Sequence, residues 1–337
     1  MIVAADGTVP APLAFEDPAR ERGAMAETPR NFSWAAIWVI TQRVWTNGGE
    51  HNLTLLAAGV AFYSFLSFVP LLAALVMVYG LVADPASVTD HIRLLIDLVP
   101  ADAARLIYEQ LTQLTQGAAN RKGLGLAAAL MVSIYGASRA AGAMITSLNI
   151  IYEEKVRRSY FRWLAVSAAL VGGTVLVAIC GLAAASMLSF AGAWAASLGP
   201  HASMAVQLLT WCFAASLCAL TIGGMYRFAP NRADARWEWL SLGSVLATLL
   251  WLVATIGFGF YVANFGHYDT TYGSLGAVVI LLMWFYVSAY AVLLGALINA
   301  EAERQTARDT TTGPARPMGK RGATMADTSA ALDQEDL

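Results

Sequence analysis

The stretch from Gly123 to Tyr152 reads GLGLAAALMVSIYGASRAAGAMITSLNIIY and carries a single charge, Arg139, near its middle. A run of that length crosses a hydrocarbon core of about 30 Å as one helix. Inside that core no water is available, so the backbone must satisfy its own N–H and C=O groups within the segment. The bilayer therefore dictates helix here before any packing is considered. A charge at that depth costs about 2.5–3.5 kcal/mol on insertion scales, so an intramembrane arginine is read as a functional site whose partner must be sought.

Five more apolar runs have comparable length. The expected spans are about 53–82, 124–151, 163–190, 203–226, 239–262 and 274–298, which makes the chain all-α and a polytopic membrane protein with six transmembrane helices. Composition agrees: only 13% of the 337 residues are charged, with a mean hydropathy of +0.56, whereas soluble domains carry about 25% charged residues. A net charge of −2 with no basic face argues against nucleic acid as a partner. Cys180, Cys212 and Cys218 sit inside apolar runs and read as small buried hydrophobes, with no metal or cofactor expected.

Residues 1–30, with Pro10, Pro12, Pro18 and Pro29, read as a disordered N-terminal region without the pattern of a cleavable signal peptide. Over 31–50, Ser33 is a candidate N-cap, and Trp34, Ile37, Trp38, Val44 and Trp45 recur at helical spacing. That pattern fits an interfacial helix or, equally, a short helix packed on the bundle. The first span carries Pro70, with Tyr63, Ser64 and Ser67 on one face before it. Those hydroxyls either bond back to their own helix or line a polar cavity. Between the first two spans, residues 84–122 hold two apolar stripes, Val88 to Val99 and Ala104 to Leu114, each the face of an amphipathic helix too short in unbroken apolar residues to span. In the third span Gly172, Gly173, Gly181 and Ala185 are small enough to let helix backbones approach. Residues 302–337 are polar and read as a disordered cytoplasmic tail.

Lys and Arg set the orientation. Four lie in the N-terminal region, four in the loop after the second span, three after the fourth and five in the tail, against none after the third and fifth. The positive-inside rule then places both termini in the cytoplasm. The 84–122 loop, with Arg93, Arg105, Arg121 and Lys122, is the exception, and acids balance part of its charge.

Several segments together carry a family likeness. LAAGVAFYSFLSFVPLL (Leu56 to Leu72), YGASRAAGAMITSLNIIYEE (Tyr135 to Glu154), YRFAP (Tyr226 to Pro230), FYVANFGHYDTTYGSLG (Phe260 to Gly276) and WFYVSAYAVLLGALINAE (Trp284 to Glu301) stand in an order that resembles the YihY/virulence factor BrkB family. The resemblance implies a six-helix protein of the bacterial inner membrane. It implies no settled activity: some members have carried a ribonuclease label, and roles in virulence and envelope lipid transport have been suggested. One departure stands out, since members often read GAELN where this chain reads GALIN, with Leu297 in the glutamate's place.

The residues do not support an enzyme. His51, His91, His201 and His267 are dispersed, no clustered carboxylates face a soluble compartment, and HExxH, GxSxG and CxxC patterns are absent. Transport or lipid translocation of an anionic or amphipathic substrate fits better, with Arg139, Tyr135, Tyr63, Ser64, Ser67 and Asn149 as the substrate-binding candidates and membrane lipids as the expected partners. Arg139 either snorkels into a structural hydrogen-bond network or presents its planar fork to an anion. The alternative is a membrane scaffold or accessory subunit that engages envelope proteins.

Overall fold

A computed structural model describes residues 23–82, 119–155, 159–197, 199–265 and 274–333. Seven long helices follow in order: α1 (Trp34–Glu50), α2 (Leu53–Val82), α3 (Ala119–Ile151), α4 (Tyr160–Ser197), α5 (Pro200–Phe228), α6 (Trp237–Phe265) and α7 (Ser274–Gln305), then the single turns α8 (Thr324–Asp327) and α9 (Ala330–Asp333). Among the described residues there is no strand, only an isolated bridge between Ala235 and Thr311. Six helices are long and apolar enough to cross a membrane, within α2 to α7. The amphipathic stripes expected between Val88 and Leu114 lie outside the described residues, and of the disorder expected over 1–30 only residues 23–30 are described: there Ala24 and Ala26 are buried and their carbonyls accept from the Thr306 hydroxyl, so this part is ordered.

Helix boundaries follow local chemistry. Ser33 Oγ accepts the Ala36 N–H at 3.1 Å and caps α1 as the sequence suggests. Asn52, at φ 53°, turns the chain from α1 into α2, a left-handed position that Asn tolerates better than most residues. α3 closes on Glu153, also at φ 53°, with the Glu154 N–H reaching back to the Asn149 carbonyl at 2.8 Å, the bond of a Schellman motif. α2 continues through Pro70.

Each spanning helix packs on its sequence neighbours, and α7 closes the circuit by packing on α2. α7 also touches α1, α3 and the segment beyond it, so it is the hub of the molecule. Around it the core gathers Leu53, Ala57, Leu148, Ile151, Tyr226, Leu240, Leu293 and Leu297. Hydroxyls inside the spans bond to carbonyls of their own helix: Ser133 to Ala129, Ser147 to Ala143, Thr221 to Leu217 and Thr248 to Ser244, all within 2.9 Å.

Two helix crossings depend on glycine. A Cβ on Gly136 would stand 2.8 Å from the Ser67 backbone, and one on Gly243 would stand 2.3 Å from the Gly295 carbonyl oxygen. The glycines of the third span do not act this way. A Cβ on Gly172, Gly173 or Gly181 meets nothing within 4 Å, so the close approach expected there occurs in α2–α3 and α6–α7 instead.

The segment after α7 is the largest departure from the sequence reading. Residues 306–333 fold across one end of the bundle and are not a loose tail. The Arg321 guanidinium, buried among backbone, donates to the carbonyls of Ala307, Arg308, Arg316 and Ala326. Met325 inserts into the core. The Ala233 N–H donates to Gly322 O, Thr312 N–H to Asp234 O, and Thr324 N–H to the Glu154 carboxylate. Polar composition predicted disorder because it has little apolar surface to bury, but backbone carbonyls gathered by one arginine supply the order instead.

Candidate functional site

Two polar sites emerge, one inside the spans and one at the end covered by 306–333. In the first, Arg139 lies at the midpoint of the α3 span, with its guanidinium carbon 5.3 Å from the centroid of the Tyr63 ring on α2. A cation over an aromatic face gains about 0.5–2 kcal/mol, more when desolvated. The crossing at Gly136 brings the two helices close enough for this contact. No carboxylate among the described residues forms an ion pair with Arg139. The arginine is exposed on the flank of the bundle, and Tyr135, one turn earlier, is exposed on the same helix.

The other expected members divide. Ser67 lies at the same crossing, but its hydroxyl donates to the Ser64 carbonyl at 3.0 Å, so its hydrogen is already used within α2. Ser64 is half-buried on that helix. Asn149 is elsewhere: ten residues further along α3, about 15 Å by helical rise, it is buried and its Oδ1 accepts the Asn231 N–H at 2.7 Å. It clamps the connection between α5 and α6 to the end of α3 and does not join Arg139.

The second site was not legible as one. The sequence NAEAER at the end of the last span looks like a helix emerging into water, yet Asn299, Glu301, Glu303 and Gln305 are all buried. Residues two apart on a helix point about 200° apart, so the two glutamates serve opposite sides of α7. Glu301 faces α1, accepting from Arg43 Nε at 2.7 Å and from Asn47 Nδ2 at 2.5 Å, while Gln305 accepts from Arg43 Nη2. Glu303 faces the α5–α6 connection, accepting from Arg232 Nη1 at 2.7 Å and from the Thr310 hydroxyl at 2.5 Å. The Arg232 guanidinium in turn lies 4.4 Å from the Tyr152 ring centroid.

Burial drives the electrostatics of this end. It pushes the Tyr152 phenol well above its usual range and raises the Glu154 carboxyl, the Thr324 hydrogen bond opposing the latter. Asp309 is shifted the other way: burial works against its charged form, but bonds from Thr311 and Arg316 outweigh it and hold its carboxyl below the usual carboxylate range. A buried ion pair is held by geometry and added hydrogen bonds more than by net attraction. What this end can do chemically is tie α1, α7, two connections and the final segment into one unit. A cue was present only in the alternation of Glu301 and Glu303 with alanine.

Among the described residues no group of three His, Cys, Asp or Glu stands together as metal ligands would. The comparisons with known proteins agree on the kind of molecule. A ribonuclease-like protein, YfkH, of Bacillus subtilis (strain 168) is 29% identical over 252 residues, covering 72% of this chain and 88% of the relative. The UPF0761 membrane protein RSc1559 of Ralstonia nicotianae is 31% identical over 258 residues, 75% of this chain, which spans only 56% of that relative. A UPF0761 membrane protein of Tolumonas auensis is 29% identical over 280 residues, with 80% and 85% covered. No solved structure matches the chain. The family model described as virulence factor BrkB matches residues 44–319, from the second half of α1 into the folded segment after α7, and the chain is therefore an integral membrane protein of the virulence factor BrkB family.

Proposed function

We infer that the protein translocates an anionic amphiphile, with Arg139 and Tyr63 receiving the charged group within the membrane. The observation that carries this reading is a mid-span guanidinium that is stacked on an aromatic ring, exposed at the flank of the bundle and unmatched by a carboxylate among the described residues. An arginine at that depth is stabilised when an anion neutralises it, and the planar fork suits phosphate or carboxylate. Exposure on the flank gives a substrate lateral access from lipid.

The membrane in question is the bacterial inner membrane, with the end formed by α1 and residues 306–333 in the cytoplasm. Support comes from the helix alternation, which brings the basic connections after α3 and α5 to that end and leaves the 84–122 loop as the exception. Exposed Trp34, Trp38 and Trp45 on α1 match tryptophans at headgroup depth. The ordered cytoplasmic end favours a second reading, a scaffold for envelope proteins, because a rigid polar platform of this kind is suited to docking.

Reconstitution separates the two. Proteoliposomes containing fluorescent phosphatidylglycerol should show accelerated loss of inner-leaflet protection from a membrane-impermeant reductant. Arg139→Gln should abolish the acceleration at unchanged expression and fold, and Arg139→Lys should restore it only in part. Equal rates in parent and Arg139→Gln liposomes would refute the translocation site.

A further inference from the structure

A second cation stands where a lipid headgroup would lie. Arg227 occupies the last turn of α5, where the helix dipole favours positive charge. The α5 span ends at Phe228 and the next begins at Trp237, which sets Arg227 at the boundary between hydrocarbon and headgroups. Its guanidinium carbon lies 5.4 Å from the Phe228 ring centroid and 5.1 Å from that of Trp237. Trp237 is seated in a notch at Gly223, one turn earlier on α5, where an added Cβ would be 3.3 Å from the indole. The guanidinium is thus held between two aromatic faces.

Among the described residues, none forms a hydrogen bond with its guanidinium. Nε is buried without a partner, and no carboxylate among the described residues pairs with Arg227. Directly along the helix from it, Gly224 leaves open space, with nothing within 4 Å of an added Cβ. Beyond that gap Leu220 and Phe213, two and four turns from Arg227 on the same face, are 64% and 59% exposed. A charged head position therefore continues into an apolar track pointing toward the membrane centre.

We propose that Arg227, clasped by Phe228 and Trp237, binds the phosphodiester of a membrane glycerophospholipid whose acyl chain lies over Gly224 and along Leu220 and Phe213. Charge complementarity selects the phosphate, and the apolar track selects a lipid over a free anion. The site is on α5 and α6, apart from the Arg139–Tyr63 contact on α3 and α2, and it stands or falls independently of the translocation reading.

The test is binding of dioleoyl phosphatidylglycerol by the purified full-length protein in detergent, followed by native mass spectrometry across a lipid titration. Arg227→Gln removes charge-assisted hydrogen bonds and should weaken the tightest bound lipid about tenfold. Gly224→Leu fills the track without touching the charge and should weaken it as well, while Gly173→Leu, which faces open space on α4, should leave this lipid in place. Inorganic phosphate should not displace it. Undiminished lipid binding by both Arg227→Gln and Gly224→Leu in monodisperse, helical protein would overturn the site. Displacement by inorganic phosphate at the lipid's own concentration would overturn the assignment to lipid.

Discussion

The buried pair of Arg232 and Glu303 gives the sharpest test of how the end covered by residues 306–333 is held. Their side chains are 0% and 2% exposed and meet at 2.7 Å. Removing one partner from a buried pair leaves an uncompensated charge, at a cost of about 3–5 kcal/mol. In Arg232→Met the Glu303 carboxylate keeps the Thr310 hydroxyl, which places the expected loss near the lower end, about 3 kcal/mol. Replacing both charges, Arg232→Met with Glu303→Leu, removes the stranded carboxylate and should return stability to within about 1 kcal/mol of the parent. With about 3 kcal/mol lost in each single variant and about 1 kcal/mol in the double, the coupling across the cycle should be about 5 kcal/mol. Unfolding of the purified protein in mixed micelles by increasing mole fraction of dodecyl sulfate, followed by circular dichroism and tryptophan fluorescence, supplies the four free energies. An Arg232→Met protein within about 0.5 kcal/mol of the parent would behave like an ordinary surface variant and refute the claim that this pair is a buried structural element. Strict additivity of the two single losses would do the same.

Gly243→Ala should separate α6 from α7, since the added carbon meets the Gly295 carbonyl at 2.3 Å and the Asn299 side chain at 2.4 Å. A clear drop in midpoint in the same unfolding assay is expected, whereas Gly173→Ala, facing open space, should change it little. Glu154 provides a pH test: burial raises its folded pKa above that of an exposed glutamate, so its stabilising contribution is present below the unfolded value and is lost as pH rises through the folded one. Unfolding stability measured upward from about pH 4 should fall more steeply in the parent than in Glu154→Gln, and parallel curves would contradict the burial argument.

What was legible from the chain is what the bilayer enforces locally. Six apolar runs must be helices because an isolated backbone in hydrocarbon has no other way to pair its groups, and Arg139 is conspicuous because the same medium penalises a lone charge. Ser33 could be read as a cap since its bond reaches only three residues. Tertiary structure decided the rest. Asn149 and Arg139 share one helix and one apolar run, but only packing shows that the first clamps Asn231 while the second stacks on Tyr63. Gly172, Gly173 and Gly181 in the third span and Gly243 in α6 look alike in sequence, yet of these four only Gly243 meets another backbone. Glu301 and Glu303 resemble the solvated end of a helix, and residues 306–333 resemble a disordered tail, until α1, Arg232 and Arg321 are brought around them. Thr306 bonds to Ala24, 282 residues back, and a buried charge is stable only where such distant partners converge, which pattern and composition along the chain do not encode.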